Sequence, residues 1–276
     1  MKSFWRMDNH KNLRQHVNRY ALGVEYDGSE FCGWQIQKGV ETVQQTLETA
    51  ISAVANHPVR TTTAGRTDTG VHATGQVVHF DTQVSRQINS WVKGVNSNLP
   101  SSVAVTWARL VPLDFHARFS VVGRSYRYII FSRKVSPAIL SQKVTWTYLD
   151  LDENLMATAA DDLVGCHDFS AYRSVRCQSH QPVRDVQKIS INRRGDWIWI
   201  DIDADGFLHH MVRNIAGVLI AIGSGQAPTS WAKKVLDSRD RRQGGVTASA
   251  DGLYLSEVRY PAHFNIPLAP PACKFW

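Results

Sequence analysis

No stretch of this 276-residue chain is apolar for long enough to cross a bilayer as a helix. The longest apolar run, Ile215 to Ile222, falls far short of the ~20 residues required. Residues 1–19 are polar and basic and hold no apolar core of a secretory signal. Cysteine is scarce: Cys32, Cys166, Cys177 and Cys273 are too few for a disulfide-built fold, which points to a reducing cytoplasm. The chain has no GxxxxGK[ST] and no complete GxGxxG, which argues against a nucleotide cofactor. It has no GxSxG nucleophile elbow either. Acids are outnumbered, 24 against 31 Lys and Arg, giving a net charge of +7. Such an excess suits a polyanionic partner, most simply nucleic acid. It also suits an ordinary basic enzyme, because the basic residues are spread along the chain.

What is present describes a folded protein. Hydrophobic residues make up 43% of the chain and charged ones 20%, which excludes a disordered polymer. The length suffices for one large domain or two ordinary ones with an unstapled core. Residues 1–18 read as a basic leader, 19–115 and 116–260 as two domains joined near 112–122, and 261–276, with four prolines, as an extended tail. In the first domain, Tyr20–Tyr26 reads as a strand ended by Asp27-Gly28. Thr42 and Gln45 form a capping box, and Val43, Leu47, Ala50, Ile51 and Val54 share one helical face. Thr61–Thr63 and Gln76–Phe80 read as strands, Ile88–Val95 as a helix, and Val103–Arg109 as a strand. The order is β-α-β-β-α-β, the split pattern of ferredoxin-like and RNA-recognition-type folds. The second domain repeats the theme more loosely. Tyr126–Phe131 is a strand. Asp152–Gly165 is a helix with Leu155, Ala159 and Leu163 on one side and Gly165 as its cap. Trp197–Asp203 alternates strictly, with Ile198, Ile200 and Ile202 on the inner face. His209–Ile222 is a helix and Leu253–Tyr260 a last strand.

The chemistry concentrates in Gly65-Arg66-Thr67-Asp68-Thr69-Gly70-Val71-His72-Ala73. Gly65 and Gly70 let the backbone turn sharply after a strand. Asp68 is thereby offered on a tight loop two residues from a cation, which favours its charged form and suits a nucleophile or general base. A surface turn stabilised by Arg66 and Asp68 is the plainer alternative. Two metal readings fail on spacing. Asp201-Ile-Asp-Ala-Asp205-Gly206 begins like a calcium loop, but its twelfth position is Val212 where a Glu is needed. Cys166-His167 and Cys177-x-x-His180 lack zinc-ligand spacing, and adjacent residues point in different directions. Arg124-Ser-Tyr126-Arg127-Tyr128 interleaves basic and aromatic side chains, as a base-stacking, phosphate-holding strand would, or as core tyrosines would. Phe207 to Ile215 opens an apolar helix with Met211 and Arg213 leading, where the dipole favours an anion. A cation as enclosed as Arg213 needs a partner.

Six motifs occur in order: Tyr26-Asp-Gly-Ser-x-Phe31-x-Gly33-Trp34-Gln35-x-Gln37, the 65–73 loop, Arg124-Ser-Tyr126-x-Tyr128, Asp168-Phe169-Ser-Ala-Tyr-Arg173, Gly206-Phe207-Leu-x-x-Met211-Val-Arg213-x-Ile215, and Gly252-Leu253-Tyr254-Leu255. Together they resemble the bacterial tRNA pseudouridine synthase A family, which isomerises uridines 38, 39 and 40 of the tRNA anticodon stem-loop. The resemblance implies an α+β fold of two ferredoxin-like halves sharing a mostly antiparallel central sheet with helices on one side. It implies a homodimer using no metal or cofactor, with the target base flipped from its stack. It assigns Asp68 as nucleophile, Arg66 as its partner and an aid to extrusion, Tyr126 to base stacking and proton transfer, and Arg213 as a second partner of Asp68. Leu253, Met211 and Phe169 would join Tyr126 in binding the uridine. A non-catalytic RNA-binding protein would explain the charge but not an acid on the loop. A hydrolase using Asp68 would want a metal or a second acid.

Overall fold

Among the described residues, ten strands form one sheet that runs through both halves of the sequence. The computed structural model describes residues 17–276, so the expected basic leader lies outside the described residues except for its last two positions. The first half contains β1 (Asn18–Tyr26), α1 (Val43–Ala55), β2 (Thr62–Thr63), β3 (His72–Thr82), α2 (Ile88–Asn96) and β4 (Val103–Val111). This is the expected β-α-β-β-α-β order, with the Thr-rich strand reduced to two residues on β3. The second half contains β5 (Gly123–Ser132), β6 (Thr145–Thr147), α3 (Glu153–Asp161), β7 (Gly165–Asp168), β8 (Val183–Arg194), β9 (Trp197–Ala204), α4 (Met211–Gly223), α5 (Trp231–Ser238) and β10 (Leu253–Arg259). The main path of the sheet is β4-β1-β3-β10-β5-β9-β8-β7, with β2 on β3 and β6 on β5. All pairings are antiparallel except β10 with β3 and β5 with β6.

Local chemistry explains most boundaries. Thr42 caps α1 by accepting from the Gln45 N–H at 3.4 Å, and Asn56 closes it in the left-handed region at φ 59°. Asp152 caps α3 through the N–H groups of Asn154 and Leu155. That helix ends at Asp161, not Gly165. Asp162 is its C-cap, and Gly165, with its positive φ of 107°, lies beyond the helix end and opens β7. The buried face of α3 is Met156, Ala159 and Ala160, while Leu155 is exposed. Along β9, Ile198, Ile200 and Ile202 are fully buried, each stabilising the core by roughly 1.5–3 kcal/mol.

The two faces of the sheet carry different loads. Tyr126, Tyr128 and Ile130 of β5 share the main core with α3 and α4, and the alternate residues Ile129 and Phe131 form a smaller cluster behind it. The tail closes over that second face. Trp276 stacks on Trp199 with ring centroids 4.1 Å apart. The Arg127 guanidinium lies 5.9 Å from both rings, pairs with Asp201 at 2.7 Å and donates to the Cys273 carbonyl at 3.0 Å.

One seam joins the halves: β3 and β10 meet in only two register pairs, Tyr254 with His72 and Leu255 with Ala73. His72 reinforces it. Its ring stacks on Tyr254 at 4.6 Å, accepts the Gly28 N–H at Nδ1 and faces the Asp251 carbonyl through Nε2. Burial lowers its pKa, so it acts here as a neutral imidazole. Gly75 lets the strands approach, because a Cβ there would lie 2.2 Å from the Ser256 carbonyl oxygen. Gly75→Ala is therefore expected to destabilise the fold by about 1–3 kcal/mol, read as a lower midpoint in urea unfolding. An unchanged midpoint would show that the seam has slack.

Candidate active site

The 65–73 loop is held from three sides. From the first motif, the Trp34 N–H donates to the Thr67 carbonyl at 3.0 Å, and the Tyr26 and Thr67 hydroxyls hydrogen-bond at 2.8 Å. Gly33 makes this possible, since a Cβ there would sit 2.8 Å from the Thr67 oxygen. From β3, the buried Gln76 amide donates to the Gly65 carbonyl at 2.7 Å. From β5, Arg124 donates to the Ala64 carbonyl at 2.7 Å and to the Asp205 carbonyl at 3.2 Å. A buried carboxylate, Glu48 of α1, anchors the approach to the loop by accepting from the Thr61 N–H and hydroxyl at 2.8 and 3.0 Å.

Asp68 is thus presented, a quarter exposed, to the start of α4. His209 Nε2 lies 3.2 Å from Oδ1, His210 Nε2 3.4 Å from Oδ2, and Arg213 Nη1 3.6 Å from Oδ2. Arg213 is fixed by its own Nε, which donates to the Ala248 carbonyl at 2.8 Å. The helix starts at Met211, two residues later than the apolar pattern implies. His210 stands at its N-cap with φ 64°, a strained conformation for a residue with a side chain. That turn swings both imidazoles onto the carboxylate. Burial also lowers the His210 pKa.

The expected site residues divide as follows. Asp68, Arg213, Tyr126, Met211 and Leu253 all line one cleft of about 1720 Å³. Tyr126 packs edge-on against Phe207 at 4.9 Å, and burial pushes its phenol up to about 12. The hydroxyl is therefore held in its neutral form. Arg66 also lines the cleft but is exposed, and among the described residues it makes no ion pair with Asp68. The carboxylate turns towards α4 while Arg66 turns outwards. Phe169 is not in the cleft: it is fully buried, with its ring 6.0 Å from Tyr172 and 6.1 Å from His167.

The sequence reading passed over two residues and gave a third another role. His209 and His210 occupied unassigned positions of a motif, and their doublet beside the apolar helix was the available signal. Arg124 looked like a phosphate-binding residue; the fold uses it as a half-buried clamp between the loop and the Asp205-Gly206 turn. The basic excess, dispersed in sequence, gathers here, where seven arginines and two carboxylates line the cleft. Among the described residues, Cys166, His167, Cys177 and His180 do not form a metal-ligating group. Among the described residues, the potential metal-ligating group is Asp68, His209 and His210.

A family profile described as tRNA pseudouridine synthase matches residues 23–120 and 159–261. The chain is 57% identical over 258 residues to tRNA pseudouridine synthase A of Nitrosococcus oceani, covering 94% of this chain and 100% of that protein. It is 53% identical to tRNA pseudouridine synthase A of Pseudomonas aeruginosa, covering 91% of this chain and 88% of that one. The protein of that name from Coxiella burnetii is also 53% identical, with 91% and 97% covered.

If Arg124 clamps the loop, Arg124→Lys loses the forked contact to Ala64 and Asp205. The expected cost is about 1–3 kcal/mol, with faster amide hydrogen exchange in residues 62–70. Unaltered protection of that segment would remove Arg124 from this role.

Proposed function

From the chain's membership of the tRNA pseudouridine synthase family, we propose that it isomerises uridine to pseudouridine at positions 38, 39 and 40 of the tRNA anticodon stem-loop. The observation that carries the reading is the Asp68 carboxylate, held on a triply anchored loop against Arg213 in an arginine-lined cleft. Isomerisation breaks the N1–C1′ bond, turns the uracil, joins C5 to C1′ and removes the C5 proton. Asp68 is the nucleophile, with C1′ of the ribose and C6 of the uracil as its two possible targets. Arg213, His209 and His210 hold both carboxylate oxygens, so the attacking geometry is set before the substrate arrives.

The target base must leave its stack, at a cost of a few kcal/mol. Phosphate contacts along the arginine-lined cleft offset that cost. Arg66, exposed and without an acid partner among the described residues, is free to enter the space the base vacates. Tyr126, with Phe207 at its edge, stacks on the flipped uracil, and its neutral hydroxyl serves in proton transfer. Leu253 and Met211 supply the apolar wall of the pocket. A homodimer and a cytoplasmic location belong to the same reading.

The test is tritium release from an unmodified tRNA transcript carrying C5-tritiated uridine. The native protein releases label in proportion to the target uridines. Asp68→Asn releases none while its tRNA affinity stays within about threefold, because binding is mainly electrostatic. Substantial release by that variant would end the nucleophile assignment. Tight tRNA binding without release by the native protein would favour a binding-only protein.

Salt offers a separate check. With several arginines contacting phosphates, log K should fall linearly with log salt, by roughly 0.7–0.9 per contact. A flat dependence would exclude a phosphate-tracking cleft.

A further inference from the structure

We infer that Asp68, His209 and His210 form a binding site for one divalent transition-metal cation of the zinc type, and that its occupancy switches the cleft off. The second half of this inference rests on the function proposed above; the first half does not. One candidate ligand atom from each residue lies within 4.8 Å of the others. The two nearest contacts are 3.2 and 3.4 Å. Ligands around a tetrahedral ion with ~2.0–2.1 Å bonds stand about 3.3 Å apart, so the site needs only small side-chain movements to close on a metal.

Adjacent histidines normally diverge. Here the left-handed turn at His210 brings the two rings to 4.0 Å between centroids, with both Nε2 atoms aimed at one carboxylate. Two imidazoles and a carboxylate select transition ions over magnesium and calcium. The remaining coordination positions open onto the cleft, as in metal sites that keep an exchangeable ligand. Two features make the binding reversible. Arg213 stays 3.6 Å from Oδ2, anchored through Ala248, and its charge opposes the ion. Neither imidazole Nδ1 has a protein hydrogen-bond partner among the described residues, so the second shell that strengthens metal sites is missing. A cation bound to Asp68 draws charge from the carboxylate and occupies the space between it and the cleft, so the uridine cannot approach for attack.

The test uses the metal-free full-length protein, titrated with Zn²⁺ by calorimetry and with Co²⁺ by absorption spectroscopy. The expected result is one ion per chain, with Co²⁺ bands in the visible and no thiolate-to-metal charge-transfer absorption. That last point matters because Cys32 and Cys177 line the same cleft. His209→Gln and His210→Gln should each weaken Zn²⁺ binding by about tenfold or more, whereas Cys32→Ser and Cys177→Ser leave it unchanged. Thermal unfolding establishes that each variant is folded, and Asp68→Asn replaces either histidine variant that is not.

Absence of saturable binding, a sulfur charge-transfer band, or indifference to both histidine changes would overturn the site. Stoichiometric Zn²⁺ should also abolish tritium release, with EDTA restoring it. Binding at the triad with release unaffected would overturn the switching role. Binding at the triad by a protein that releases no tritium even without metal would instead count against the proposed isomerase.

Discussion

The β3–β10 seam is the constraint on which the site depends. The carboxylate-bearing loop precedes β3 in the first half of the chain, and its cationic partner Arg213 belongs to α4 in the second. Arg213 is tied to Ala248, just before β10, by bonds in both directions: its Nε donates to the Ala248 carbonyl, and its own carbonyl accepts the Ala248 N–H at 3.1 Å. Moving β10 relative to β3 would therefore carry Arg213 away from Asp68. The seam has only two register pairs, so the surrounding contacts must supply its precision. His72 and Gly75 on β3 and the Arg124 clamp on β5 do so.

Within that frame the electrostatics separate into groups that carry charge and groups that do not. Arg213 brings a fixed positive charge to Asp68, whereas Tyr126 and His210 are driven towards their neutral forms by burial. The same pocket can thus orient an anion, offer a neutral hydroxyl and still present an overall cationic lining to a polyanion. Arg124 illustrates how position decides role. Burial lowers its pKa, and its guanidinium bonds to backbone carbonyls, so a residue of the type that binds phosphate acts as a brace.

Much of this was legible in the sequence where a side-chain pattern had one structural meaning. The Ile198-Ile200-Ile202 alternation, the Thr42 cap and the glycine-bounded loop each translated directly. The family resemblance, and not a local pattern, named Asp68, Arg213, Tyr126, Met211 and Leu253 together, and they line one cleft. The failures share a cause in tertiary context. Strand β8 escaped notice because only Val186 of its twelve residues is buried, leaving no alternation to read. Gly165 resembled a helix cap until the chain's path showed it opening a strand. Phe169 and Arg66 were displaced from their expected contacts by where the backbone points, which spacing alone does not encode. The two histidines converge only because His210 adopts a left-handed conformation.

The seam also has a consequence for the order in which the protein becomes itself during synthesis. His72 meets the Asp251 carbonyl 179 positions later, so the loop carrying Asp68 emerges from the ribosome long before the strand that locks it in place. Until α4 and β10 have been made, the carboxylate has neither Arg213 nor the paired imidazoles, and half of the cleft wall is missing. Domains fold as their residues become available, and long-range strand pairing comes late. A nascent chain therefore holds Asp68 without its partners, and the full cleft appears only once translation has passed the last strand.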